Sequence, residues 1–177
     1  MHRWTRASAL VFALGTLEGC SAHSTGSTRS VDRAGAEQAI AHLLDTWHHA
    51  AATGDGDVYF GAMADDFVFL GTDATERWPR DEFVAFAEPY FDGEEAWTYT
   101  PTQRWIEAGT VDRGVVWFDE LLHNDKYGTS RGTGVAVRDG GVWKLGAYGL
   151  TFPIPNDLAG GMTAEIKAYE ASRPEDD

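Results

Sequence analysis

Two carboxylates stand side by side in the run WFDELLHNDKYGTSRG, residues 117–132. Neighbours on a strand point to opposite faces, so Asp119 and Glu120 cannot act together in one site. Pairing the strands across the NDKY turn separates their roles. With a two- or four-residue loop, His123 faces Gly128, Glu120 faces Arg131, Asp119 faces Gly132 and Trp117 faces Gly134. Glu120 and Arg131 then form a cross-strand ion pair, the ordinary structural outcome for such neighbours. Asp119 points instead into space that two glycines leave open. An unpaired carboxylate facing an aromatic cavity has its pKa raised by desolvation and can act as a general base or acid. A three- or five-residue loop breaks this assignment. The five-residue case sets Arg131 opposite Asp119 and exchanges the two roles.

Other residues are candidates for the same pocket. Trp47, Phe69, Trp78, Trp105 and Trp117 can line an apolar cavity or form plain core, and Arg131 is a further candidate for ligand contact. Tyr148 and Tyr127 can donate a hydrogen bond to a developing oxyanion, although Tyr127 can equally just shape the turn. His48 lies at the margin of an apolar helical stripe, within reach of a pocket, whereas His49 falls with Gln38, His42 and Asp45 on the opposite, solvated side. The spacing of His42, Asp45 and His49 lacks a third His or Cys motif, so no metal is expected. The sequence has no Gly-rich phosphate loop, no G-x-S-x-G elbow and no H-E-x-x-H helix. No cofactor is expected.

The elements that must position these residues are legible in the apolar periodicity. Ile40, Leu43, Leu44, Trp47 and Ala51 recur at helical spacing between Ala36 and Ala52, and Gly54 follows as a stop. A short helix over 57–64 gives way to a strand, DFVFLGTDA. Trp78-Pro79 opens a third helix that carries Phe83, Phe86, Ala87, Tyr90 and Phe91 on one side. After Gly93 the pattern becomes strands, with Pro101 implying an edge or bulge. Three helical segments followed by hairpin-linked strands predict an α+β domain with a mostly antiparallel sheet. Residues 162–171 are expected to form a small C-terminal helix.

Composition bounds the function. A chain of 177 residues with 43% hydrophobic residues and seven Trp carries enough apolar surface to bury a core. Its net charge of −14 argues against binding nucleic acid or an anionic membrane surface, both of which require a basic patch. Arg3, Arg6 and the apolar run Ala7 to Leu17 read as a targeting segment, too short to span a bilayer permanently. The following LEGCSA resembles a bacterial lipobox, with Glu18 departing from the usual small or apolar residue. Cys20 is the only cysteine, which removes thiol catalysis and fits a lipid-acceptor position, against the plainer reading of a secretory signal with an incidental Cys. The expected organisation is a signal segment over 1–20, a flexible Ser/Thr/Gly tether over 21–35, a domain over 36–156, and a short helix with an acidic tail over 157–177. The expected location is the periplasm or cell surface, held to a membrane by lipid alone.

The order of elements, with AIAHLLDTWHHAAATGD, FVFLGTDATERW, WFDELLHNDKYGTSRGTGVAVRDGGVWKL and LTFPIPND, resembles the SnoaL-like branch of the nuclear transport factor 2-like superfamily. That resemblance implies a cone-shaped fold, in which a strongly curved, mostly antiparallel sheet wraps around the N-terminal helices and encloses a pocket. The same shell hosts isomerases, dehydratases, cyclases and transport factors, so it leaves function open. Three readings follow. The first is a domain binding a small, largely apolar molecule. The second is an acid-base enzyme with Asp119 as base and a Tyr, such as Tyr148, stabilising an enolate. The third is a structural module with a filled cone that forms a homodimer through the outer sheet face.

Overall fold

A computed structural model of the chain describes residues 32–93 and 96–173. Cys20, the apolar run before it and the tether up to residue 31 lie outside the described residues. The first helix, α1 (Arg33–Ala52), starts three residues before the expected start of the domain at residue 36. Asp32 caps it by accepting from the Gly35 amide at 2.8 Å. Its buried stripe is Ala36, Ile40, Leu44, Trp47, Ala50 and Ala51, and Gly54 with φ 66° turns the chain beyond its end. Asp55 caps α2 (Gly56–Gly61) in the same way. The strand β1 (Met63–Leu70) and a three-residue strand β2 (Arg77–Pro79) precede α3 (Arg80–Ala87), so Pro79 ends a strand as well as starting a helix.

The remaining strands are β3 (Thr100–Glu107), β4 (Val115–Asn124), β5 (Gly128–Asp139) and β6 (Val142–Thr151). They join β1 and β2 in one six-stranded sheet of order β2-β1-β6-β5-β4-β3, in which only β1 and β6 run parallel. This is the α+β, mostly antiparallel cone expected. Its inner face packs on α1 through Val116, Phe118, Ala136, Leu145 and Tyr148.

Three backbone features decide which strand residues face inward. The β4–β5 loop has three residues, Asp125 to Tyr127, between the paired Asn124 and Gly128. Asn124 Oδ1 accepts from the amides of Lys126 (3.0 Å) and Tyr127 (2.9 Å), and Gly128 adopts φ 71°. An Asx turn closed by a left-handed glycine is the geometry of a three-residue hairpin. The even register expected from the sequence is therefore replaced by one in which Glu120 faces Gly132 and Asp119 faces Thr133. On β3 the pairing shifts by one residue between Pro101 and Gln103, at the expected bulge, so that Arg104 faces Glu120 and Trp105 faces Asp119. On β6 the shift falls at Gly146, which brings Tyr148 and Leu150 onto the same side as Trp143 and Leu145.

The C-terminal helix α4 (Asn156–Ser172) begins six residues earlier than expected and runs through Gly160 and Gly161. It buries no residue. Among the described residues, no helix is long and apolar enough to cross a membrane.

Candidate functional site

Glu120 is fully buried on the inner face of β4 and receives three side-chain hydrogen bonds. His48 Nε2 lies 2.6 Å and the Tyr148 hydroxyl 3.0 Å from Oε1, while Arg104 Nε donates to Oε2 at 2.8 Å. Arg104 also bridges to α1, donating through Nη1 to the Ala41 carbonyl (3.1 Å) and to Asp45 Oδ1 (2.8 Å). Burial works against ionisation of Glu120. The hydrogen bond and charge of His48 and the charge of Arg104 outweigh it and hold the carboxyl below its ordinary value. Burial and the Glu120 charge push the Tyr148 hydroxyl well above its ordinary value, so it stays protonated and donates. An ionised carboxylate only accepts, so the His48 proton sits on Nε2 and Nδ1 keeps its lone pair when the ring is neutral.

His48 and Tyr148 lie at one wall of a cavity of about 280 Å³, close to the lower end of small-molecule pockets. The other walls are aromatic. Trp47, Tyr59, Phe69, Trp78, Phe83 and Trp97 line it, with Glu76 and Thr72 from the β1–β2 turn. Trp47 stacks on Tyr59 at 4.8 Å, and Phe69, Phe83 and Trp78 form a cluster in which Phe69 stacks on Phe83 (4.2 Å) and on Trp78 (6.1 Å). The cone is thus open rather than filled, contrary to the premise of the structural-module reading.

The SnoaL-like domain family matches residues 40–155. This chain belongs to it.

Solved structures agree on the fold of the SnoaL-like domain. An NTF2-like protein of unknown function from Pseudomonas putida KT2440 superimposes with a TM-score of 0.58 at 18% identity, over 71% of this chain and 92% of its own. A protein of unknown function from Mycobacterium tuberculosis gives 0.58 at 16% identity, over 76% and 82%. A cystatin-like domain from Nostoc punctiforme gives 0.56 at 13%, over 77% and 94%. No curated protein matches the sequence.

Within the SnoaL-like domain, the candidate residues divide between the two faces of the sheet. Trp47, His48, Phe69, Trp78 and Tyr148 meet at the cavity. Asp119, Trp105, Trp117 and Arg131 do not. Asp119 lies on the outer face and pairs with Arg131 at 3.2 Å, their side chains 19% and 46% exposed. The roles expected for the two acids are therefore exchanged, because the turn is odd. Trp105 is carried outward by the β3 bulge, and Trp117 shares the outer face with Asp119. The Tyr148 hydroxyl is spent on Glu120 and not free for an oxyanion. Tyr127, at the turn, lines the mouth. Sequence reasoning missed Arg104, Tyr59, Phe83 and Trp97 as site residues. Pro101 was the available signal for Arg104, since a bulge there reverses the alternation that follows.

The depressed Glu120 carboxyl sets a pH dependence. Its stabilisation is fully present above the ordinary Glu value of about 4.3 and is lost as pH falls through the lower folded value. In urea titrations from pH 7 to pH 3, the stability gap between the native protein and Glu120→Gln should narrow steadily below about pH 4.3. A gap that stays constant would mean that Glu120 is not held ionised.

Proposed function

We propose that this SnoaL-like domain binds a small, largely apolar, ring-bearing molecule in the cone. The aromatic cavity of about 280 Å³ ending at His48 carries this reading. Flat rings stack on such walls, and a hydroxyl or carbonyl on the ligand meets the imidazole. Isothermal titration with 4-ethylphenol tests it. One saturable site is expected, with affinity reduced at least about tenfold by Leu150→Trp, which fills the cavity, because the displaced ring loses most of its buried area. Trp105→Phe and Trp117→Phe on the outer face should leave it unchanged. Binding insensitive to Leu150→Trp would place the ligand elsewhere and overturn the reading.

The finer proposal is that the domain is exported and held to a membrane by lipid on Cys20. The charged start, the short apolar run and the LEGC sequence support it. Cys20→Ala should move the protein from the membrane to the soluble fraction of cells; an unchanged distribution would sink the proposal.

A second reading, proton-transfer catalysis of the isomerase or dehydratase kind, is favoured by the 2.6 Å contact between His48 and Glu120. Glu120, fixed by Arg104, orients the imidazole, so His48 Nδ1 can take a proton from a carbon beside a carbonyl and return it to another atom. This moves the base from Asp119 to His48, with Glu120 as positioning residue. On this reading Asp119→Asn leaves turnover unchanged, whereas His48→Asn abolishes it.

A further inference from the structure

The carboxylate of Glu76 lines the cavity from the β1–β2 turn, and the turn is shaped to hold it there. Glu76 and Trp78 are partly buried whereas Thr75, Arg77 and Pro79 are exposed, the alternation of an edge strand with one side turned inward. The Gly71 amide donates to the Glu76 carbonyl at 2.8 Å, and the Asp73 amide donates to Glu76 Oε2 at 3.1 Å. Gly71 leaves the space in which the side chain lies, because a methyl group on it would stand 2.7 Å from Glu76 Cβ and collide with Oε2. Among the described residues, Oε1 has no hydrogen-bond partner and no Lys, Arg or His pairs with the carboxylate.

The rest of the wall offers this charge no counterpart. None of the described lining residues is Lys or Arg, and His48 is already turned to Glu120. What the wall does offer is a series of rings that begins two residues after Glu76. Trp78 stacks on Phe86 at 4.5 Å, Phe86 meets Tyr90 at 5.7 Å, and Tyr90 meets Trp97 edge-on at 6.0 Å. The face of an aromatic ring is the negative end of its quadrupole, so a cation seated against several faces is attracted to each.

These features select among ligand charges. An anion would meet the unpaired Glu76 carboxylate and the negative ring faces with no cationic side chain to answer it. A neutral molecule would fill the apolar space but displace water from Oε1 without replacing it. An alkylated ammonium group suits both features, because its charge is spread over methyl or methylene groups that pack on rings and can lie against a carboxylate. The net charge of −14 favours the approach of a cation from solution.

We propose that the ligand of the cone is an organic cation, a ring-bearing molecule whose alkylated ammonium group is held by Glu76 and the rings of Trp78, Phe86 and Tyr90. This rests on the reading of the cone as a binding site and adds to it the sign of the ligand's charge and the residue that selects it.

The full chain is tested by isothermal titration with two probes of one shape, (4-hydroxyphenyl)trimethylammonium and 4-tert-butylphenol, which differ only in a charged nitrogen for a neutral carbon. The cation should bind at least about tenfold more tightly, although it is the better hydrated of the two. Glu76→Gln keeps an oxygen to accept from the Asp73 amide, so the turn stays intact. It should weaken the cation at least about fivefold and leave 4-tert-butylphenol within about twofold. Leu150→Trp should weaken both probes. A neutral probe that binds as tightly as the cation, or a Glu76→Gln protein in which both probes or neither are weakened, overturns the cation assignment while leaving the pocket intact. A cation insensitive to Leu150→Trp is held by the acidic surface instead of the cone and also overturns it. If neither probe binds the native protein, the pocket reading fails and this assignment with it.

Discussion

Glu120→Ala is expected to destabilise the fold by about 3–5 kcal/mol, the usual cost of removing one partner from a buried ion pair. The carboxylate is fully buried, and its loss leaves the Arg104 guanidinium, only 14% exposed, without its one buried anion, with the exposed Asp45 as its remaining partner among the described residues. Arg104 Nη2 already has no hydrogen-bond partner among the described residues, so the local network cannot readily compensate. The hydroxyl of Tyr148 and Nε2 of His48 lose their acceptor at the same time. A domain of this size should lose about 10 °C or more in Tm. The decisive comparison is Asp119→Ala, which breaks the exposed pair with Arg131 and should cost no more than about 1 kcal/mol. Equal or reversed losses in urea unfolding would contradict the β4–β5 register.

A second large effect is expected at Gly134. A methyl group there would lie 2.5 Å from the Ala147 carbonyl oxygen and 2.5 Å from Cζ of Phe118. A phenyl ring can tilt away, but the carbonyl belongs to the neighbouring strand and moves only with the sheet. Gly134→Ala should therefore fall at the upper end of overpacking costs, about 3 kcal/mol. Gly109→Ala provides the control, because nothing lies within 4 Å of its added methyl, and its stability should change by less than about 1 kcal/mol. A Gly134→Ala protein as stable as the native one would mean that the β5–β6 pairing is looser than described. The same crowding explains Gly132, where a methyl would strike the Tyr148 hydroxyl that holds Glu120. The large-beside-small alternation read from the sequence exists, but it seats Phe118 and Glu120, not Trp117 and Asp119, against the glycines.

Much of the fold was legible. The α1 stripe, the stop at Gly54, the change to strands after Gly93 and the bulge near Pro101 rest on local rules, in which a residue's own conformational preference or periodicity decides. Of the site, Trp47, His48, Phe69, Trp78 and Tyr148 were named and do meet at one cavity. Arg104 was not, because an alternating strand assigns it to the side opposite Trp97 and Tyr99 until the bulge reverses the order. The odd turn had a readable signal too: Asn124 placed to accept from the amides that follow, and Gly128 four residues on, able to take φ above zero.

The sequence by itself determined that the two acids would part, since adjacent residues on a strand cannot share a face. It also determined the class of fold, the acidic surface and the aromatic content from which a pocket is lined. Which acid turned inward was decided by tertiary structure alone. A strand has period two, so one residue more or less in a turn or bulge moves every following side chain to the other face. Three such single-residue events, at Asp125–Tyr127, Thr102 and Gly146, bring Glu120, Arg104 and Tyr148 to one point on the inner face. Only the packing of the sheet on α1, with His48 waiting at 2.6 Å, determines that this combination is the one that folds.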